Sequence, residues 1–338
     1  MEDNPFKKSP NRQVDGAQAK ALSVNGKEID ISIIIAAYNE QDNVLLLYRE
    51  LKSVLEKITA SFEIIFVDDG SKDNTFNILK KLHEEDKRVK VIRFSRNLGQ
   101  TAAWRAGFKY FNGKIAITMD ADLQNDPKDI PLLLNELKKG YDAVSGWRWN
   151  RKDKFSKRVY SKIANFLRRI LVKEKIHDAG CSLKAYRKEV VKNLDLFGEM
   201  HRYITTILLL KGFKIGEVKV NHRKRILGKT KYGSLRLFKG FLDLLYIKFW
   251  SSYSTRPLHF FGGLGFIQYF LALFILIEQI IKAIILNIFT VGPLLILVVL
   301  LIITGSLSIM FGFISEILTR VYFKTYEEDT LNIKEMLF

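Results

Sequence analysis

The sequence predicts an α/β unit built on a mostly parallel sheet, followed by a two-helix transmembrane hairpin. Two observations carry that reading. Between residues 31 and 146, short apolar β-branched runs alternate with longer polar stretches of helical spacing. This pattern gives a parallel sheet covered by helices on both faces. Between residues 258 and 318, 61 positions carry only three charged groups, Glu278, Lys282 and Glu316.

The elements follow in chain order. Residues 1–28 are polar, contain Pro5 and Pro10 and lack an apolar segment, so a disordered leader without a signal peptide is expected. A cytoplasmic domain is expected over 29–232, with strands at 31–37, 62–67, 89–94 and 114–119 and helices at 43–58, 72–85 and 100–110. Residues 233–257 mix Leu, Phe, Tyr and Trp with Arg236, Lys239 and Lys248, the composition of a helix lying in the headgroup layer or of an ordinary amphipathic surface helix. Two apolar runs follow, at about 260–281 and 293–318. Each reaches the roughly 20 residues that a helix needs to cross about 30 Å of hydrocarbon. Two buried helices of a large soluble core are the alternative, but such cores rarely need so long a stretch nearly free of charge. Lys239, Lys248 and Arg256 precede the spans, Arg320 and Lys324 follow them, and the connecting turn carries only Lys282. Both ends are therefore expected on the cytoplasmic side, with 319–338 as a cytoplasmic tail.

Charge narrows the function. The chain has 338 residues, with 54 Lys and Arg against 36 Asp and Glu, a formal net charge of +18. A surplus of this size points to an anionic partner. It is concentrated in two places: nine basic residues and one acid between 146 and 169, and eight and one between 211 and 231. The single cysteine, Cys181, excludes an intramolecular disulfide framework and a cysteine-built zinc site. A small buried packing residue is its expected role.

In parallel α/β sheets, ligands sit beyond the carboxyl ends of the strands, and polar clusters fall there. Tyr38-Asn39-Glu40 follows the first strand, Asp68-Asp69-Gly70-Ser71 the second, and Asp120-Ala121-Asp122-Leu123-Gln124 the fourth. Acids converging on one crevice repel unless a cation lies between them, and oxygen ligands suit Mg2+ or Mn2+ holding a diphosphate. Asp68-Asp69-Gly70-Ser71 also reads as a turn with Ser71 capping the next helix. Neither GxGxxG nor GxxxxGK[ST] follows any of these strands, which disfavours dinucleotide and P-loop binding.

Ile33-Ile-Ile-Ala-Ala-Tyr-Asn-Glu40, Val67-Asp-Asp-Gly-Ser71, Arg96-Asn-Leu-Gly-Gln100 and Asp120-Ala-Asp-Leu-Gln124, taken in order, resemble the family 2 inverting glycosyltransferases of A-type fold. The nearest branch is that of the polyprenyl-phosphate sugar transferases, and the likeness runs from about 31 to 322. The resemblance implies a nucleotide-binding sheet whose nucleoside pocket is lined by Ala36, Tyr38, Glu40, Val67 and Asp69, with Ala121 beside the diphosphate. It implies metal and diphosphate contacts from Asp120, Asp122 and Gln124. Val220-Asn-His-Arg-Lys-Arg225 and Gly228-Lys-Thr-Lys231 resemble a basic loop in which Arg225 and Lys231 reach the phosphates. Arg148 is a further cation for catalysis, and Asp178 matches an acid near the acceptor, where it acts as base or only orients. Asn125 stands as an extra residue before Asp126-Pro127.

The expected reaction is metal-dependent transfer of a sugar from a UDP- or GDP-sugar to a polyprenyl (undecaprenyl or dolichyl) phosphate, by inverting single displacement. The expected setting is the inner membrane of a prokaryote, with an anionic membrane surface as partner, no nucleic acid, and a homo-oligomer, plausibly a tetramer. Rival readings are a processive polysaccharide synthase, against which the absence of QxxRW counts, a membrane-anchored nucleic-acid binder using 147–169, and a non-catalytic membrane scaffold. His201-Arg202-Tyr203 reads as sugar or phosphate contact or as a helix start. Trp104, Trp147 and Trp149 read as sugar-stacking surface or core.

Overall fold

A computed structural model describes residues 28–59, 61–149, 176–192, 194, 196, 198–223, 236–253, 256–286, 292–325 and 333–338. These fall in two compact units. One holds the described residues up to 245 together with 333–338, the other those from 246 to 325. The leader expected over 1–28 lies, save Glu28, outside the described residues, as do Arg225 and Lys231.

The first unit is an eight-stranded mixed sheet. Its strands are β1 (Ile31–Ala37), β2 (Phe62–Asp68), β3 (Val89–Phe94), β4 (Ile115–Asp120), β5 (Ala143–Trp147), β6 (Lys184–Arg187), β7 (Ile215–Lys219) and β8 (Ile333–Leu337), in the spatial order β7-β5-β6-β4-β1-β2-β3-β8. β1 pairs in parallel with β2 and β4, β2 with β3, and β5 with β7. β6 runs antiparallel between β4 and β5, and β8 antiparallel along β3. β1 and β2 are apolar along nearly their whole length and buried, as a strand covered on both faces must be. Helices α1 (Val44–Ile58), α2 (Thr75–Glu85), α3 (Gln100–Tyr110) and α4 (Ile130–Lys138) connect the parallel strands, and α5 (Ile204–Leu210) precedes β7. Leu47, Leu51 and Leu55 are spaced by four on α1 and are fully buried, the stripe that packs a helix on a sheet.

Ser71 does not start a helix. The Asp68 carboxylate instead accepts from the Ser71 N–H at 3.0 Å and closes the turn, while Ser71 Oγ accepts from the Asn39 N–H at 2.9 Å. α2 opens only at Thr75. The two loops are thus laced together through Ser71, while the second Asp68 oxygen lies 3.4 Å from Arg93 Nε.

The second unit contains α7 (Pro257–Leu286, 30 residues) and α8 (Pro293–Thr325, 33 residues), preceded by α6 (Arg236–Tyr253), which spans the boundary. Each long helix has 29 consecutive residues apolar enough to cross a membrane, about 43 Å at 1.5 Å per residue. Phe270, Phe274 and Ile284 are 71, 70 and 75% exposed, which hydrocarbon accommodates and water does not. The pair approaches closely at glycines. A Cβ on Gly265 would meet the Gly305 carbonyl at 2.7 Å, and one on Gly305 the Tyr269 ring at 2.8 Å. Tyr269 Oη and Ser306 Oγ share a hydrogen bond of 2.7 Å across the interface. Small residues with an interhelical hydrogen bond are how apolar helices associate without a hydrophobic driving force.

Candidate active site

The strand ends expected to form a crevice are neighbours in the sheet. Ala36 pairs with Val67 on one side and Asp120 on the other, so the last residues of β1, β2 and β4 lie side by side. Val67 is fully buried, and the loops beyond it carry the polar groups. Asn39 and Leu123 adopt positive φ of 53° and 61°. Leu123 lies directly between Asp122 and Gln124, and strained backbone of this kind collects at functional sites.

Asp69 is buried and accepts from the Leu98 N–H at 2.6 Å, the Gly99 N–H at 2.9 Å and Asn97 Nδ2 at 3.0 Å. It therefore shapes the loop entering α3. Burial pushes its pKa up to about 6 against the pull of those amides, with Asp68 adding to the rise. Gly70 is required here: its φ is +68°, and a Cβ would meet the Arg96 carbonyl carbon at 2.5 Å. Tyr38 and Glu40, both half-buried, follow the end of β1. The Glu40 N–H donates to Thr75 Oγ1 at 2.9 Å, and its carboxylate accepts from Asn43 Nδ2 at 2.6 Å.

Asp120 is enclosed. Gln100 Nε2 donates to its Oδ1 at 2.6 Å and the Ser182 hydroxyl also donates to it, yet burial and the neighbouring Asp122 charge raise its pKa to about 6. Asp122 is buried, and its Oδ1 accepts from the Gln124 N–H at 3.2 Å. Two adjoining carboxylates, Asp122 buried and Asp120 half-buried and held back from ionising, form a site where a hard cation can take the place of a proton. Among the described residues no cluster of three or more His, Cys, Asp or Glu is arranged for a metal. The pair fits a metal whose other ligands come from a diphosphate and water.

Asn125, the extra residue, is absorbed without disturbance: it is buried, donates from Nδ2 to Ser182 Oγ at 2.7 Å, and forms a bridge with His222. Beyond it, Asp126 accepts from Arg223 at 2.7 Å and Asn221 at 3.3 Å, while the Arg223 N–H donates to the Gln124 carbonyl at 2.9 Å. The basic segment is thereby tied at its start to the Asp120–Gln124 loop.

Arg148 and Asp178 form a bidentate ion pair, Nε to Oδ2 at 2.7 Å and Nη2 to Oδ1 at 2.9 Å. Asp178 holds the guanidinium firmly charged, and that charge in turn acts on Asp120. Glu217 on β7 accepts from the His177 and Asp178 backbone N–H groups, each at 2.9 Å, and shares a hydrogen bond of 2.7 Å with His177 Nδ1. Asp178 is thus a fixed partner of Arg148, a poor arrangement for a base. Cys181 is buried, its thiol pushed up to about 11 by burial. Trp104 belongs to the core, and His201 packs edge-on to it with Thr101 Oγ1 2.7 Å from Nδ1.

The family model described as "Glycosyl transferase family 2" matches residues 32–195. A dodecaprenyl-phosphate galacturonate synthase of Rhizobium johnstonii is 38% identical over 304 residues, covering 88% of this chain and 90% of the relative. The chain belongs to glycosyl transferase family 2. An undecaprenyl-phosphate 4-deoxy-4-formamido-L-arabinose transferase of Shewanella sediminis is 34% identical to this family 2 chain over 300 residues, 86% of it and 88% of the relative. The transferase is thus an enzyme of the polyprenyl-phosphate branch, as its motifs implied. Among solved structures, mannosyl-3-phosphoglycerate synthase from Rubrobacter xylanophilus superposes with a TM-score of 0.54 at 14% identity, over 65% of this chain and 74% of that one. It shares the A-type fold of the family 2 transferase.

Residues that the sequence left unmarked complete the site. Gln100, Ser182, Glu217 and Arg223 come from four separated segments. Gln100 and Arg223 lay inside quoted motifs without an assigned role, and the closed sheet brings Gln100 and Ser182 to Asp120, Glu217 to Asp178 and Arg223 to the Gln124 carbonyl.

Proposed function

We propose that this transferase moves a sugar from a nucleotide-diphosphate sugar, UDP- or GDP-linked, to a membrane polyprenyl phosphate, with a divalent cation bound at Asp120 and Asp122. The observation that carries this reading is the carboxylate pair at the end of β4, Asp120 half-buried and Asp122 buried, beside the ends of β1 and β2 at Ala36 and Val67. The metal, when bound, supplies Lewis-acid stabilisation of the departing diphosphate. Mn2+ and UDP-glucose occupy glucosyl-3-phosphoglycerate synthase from Mycobacterium tuberculosis, which shares the fold with a TM-score of 0.50 at 17% identity, over 65% of this chain and 80% of that one.

The chain's own groups have separable tasks. Asp120, Asp122 and Gln124 hold the metal and diphosphate, while Ala36, Tyr38, Glu40, Val67 and Asp69 hold the nucleoside beside Ala121. Arg148, locked on Asp178, offers a fixed positive charge at the edge of the crevice, and Arg225 and Lys231 neutralise phosphates from the basic segment. The acceptor phosphate has a second pKa of about 6 and is mostly dianionic at neutral pH, so it needs no strong base. Its oxygen attacks the anomeric carbon, the bond to the diphosphate oxygen breaks, and the centre inverts. Positioning of two polyanions and electrostatic stabilisation supply the rate. The setting is the inner membrane of a bacterium with the α/β unit in the cytoplasm, bound to anionic lipid.

The test is incubation of purified enzyme in detergent with polyprenyl phosphate and a panel of radiolabelled nucleotide sugars. Label should enter the lipid phase with one donor or a few, in a Mg2+- or Mn2+-dependent manner, and Asp122→Asn should lose at least about a hundredfold in kcat. Full turnover in EDTA would refute the metal assignment.

A further inference from the structure

Outside the carboxylate crevice, the same end of the sheet carries a second cluster. On β7, Glu217 and Lys219 are two apart and share a face. Across the parallel ladder Glu217 lies opposite Ser145 and Lys219 opposite Trp147 of β5. Glu217 anchors His177, as described, and the His177 ring stacks on Trp147 with centroids 4.3 Å apart and planes 13° from parallel. Lys219 Nζ stands 5.4 Å from the Trp147 ring centre and 5.0 Å from that of Trp149. Trp149 is held by a tight turn, its N–H donating to the Trp147 carbonyl at 2.8 Å, and is 63% exposed.

Two features of this cluster call for a ligand. Lys219 has no carboxylate within ion-pair distance among the described residues, because the acid of its own strand is engaged by His177. Its ammonium is exposed and lies against two indole faces. Trp149, a large apolar side chain, faces solvent at a strand end rather than filling the core. A cation between aromatic faces is a receptor for a group that is anionic at one end and apolar and unsaturated just beyond it. The position is as informative as the composition. Trp147 and Trp149 flank Arg148, and His177 precedes Asp178, so the cluster directly borders the ion pair that acts on Asp120.

Resting on the function proposed above, we propose that Trp147, Trp149 and Lys219 form the subsite for the phosphate and first isoprene units of the acceptor lipid. Lys219 pairs with the phosphate and the indoles take the adjoining hydrocarbon. Glu217 and His177 act as positioning residues that hold the Trp147 ring. The same chemistry would also attract ordinary phospholipid headgroups, so the experiment separates the two sources.

Purified full-length enzyme is assayed with a long-chain polyprenyl phosphate in phosphatidylcholine vesicles, with and without anionic phospholipid, and with a water-soluble phosphate of two isoprene units. Lys219→Ala and Trp149→Ala should each raise the acceptor KM about tenfold on both acceptors, a loss on the scale of one contact. The donor KM and kcat should stay within about twofold, and Lys219→Arg and Trp149→Phe should recover most of the loss. Both side chains are exposed, so the variants are expected to fold. An effect confined to the long-chain acceptor in anionic vesicles would show headgroup attraction and overturn the subsite. So would unchanged acceptor KM values, or a rise in donor KM in their place. If wild-type enzyme transfers no sugar to either acceptor, the function reading fails and the subsite with it. Wild-type turnover with unaffected variants removes the subsite alone.

Discussion

Asp120 shows how little of a site's chemistry resides in the residue itself. Its spacing from Asp122 is visible in the sequence, but its state is set by burial and the Asp122 charge, working against hydrogen bonds from Gln100 at the start of α3 and Ser182 in the turn before β6. With a pKa of about 6, Asp120 must lose a proton before a metal binds. The metal concentration giving half-maximal activity should therefore rise as pH falls through about 6, by close to tenfold per pH unit below it. A flat profile from pH 5 to 8 would contradict the assignment. Asp69 gives a stability counterpart. The folded chain holds this proton up to about pH 6, and the unfolded chain only to about 3.9. The native state thus binds more protons between those values, and stability falls as pH rises through that window, then levels off. Asp69→Asn should flatten that slope in thermal unfolding scans taken between pH 4 and 7. The carboxylates were legible because acids after apolar strands are conspicuous. Their partners were not, because an isolated Gln or Ser carries no signal until the fold closes around it.

At the level of elements, periodicity located the four central parallel strands to within a residue or so, since a doubly covered strand is a continuous apolar run. β8 was read as part of a tail. Its five residues alternate half-buried and exposed, the pattern of an edge strand, and its partner β3 lies some 240 positions earlier, a pairing no local rule reaches. Close to that edge, Lys90 on β3 and Glu63 on β2 form an almost fully buried ion pair of 2.6 Å. Ser32 Oγ and the Asn112 N–H also donate to Glu63, at 2.6 and 2.7 Å. Removing the cation leaves a buried carboxylate with neutral partners only, so Lys90→Met should cost about 3–5 kcal/mol, read as a lowered unfolding midpoint. A change within about 0.5 kcal/mol would show that the pair is dispensable.

For the whole molecule, the return of the chain as β8 carries more than a strand. The segment leaves the α/β unit after β7, forms α7 and α8, and re-enters the same unit. If both helices cross a bilayer, the two crossings bring it back to the side it left, in agreement with the basic flanks. A membrane-impermeant maleimide in inverted vesicles should therefore label cysteines placed at Lys248 and Lys324, but not one placed at Asn287. Cys181, being buried, leaves a low background. The hairpin was legible from length and charge alone, whereas its interface, set by Gly265, Gly305 and the Tyr269–Ser306 hydrogen bond, needed the packed pair.

The central claim, direct sugar transfer to a lipid phosphate, is tested most directly by mass spectrometry of the lipid product alongside nucleotide analysis of the aqueous phase. The account predicts one sugar joined to a lipid monophosphate, released nucleoside diphosphate in equal amount, and neither product with Asp122→Asn. A sugar carried on a lipid diphosphate with release of nucleoside monophosphate, or no lipid-linked sugar from any donor, would contradict it.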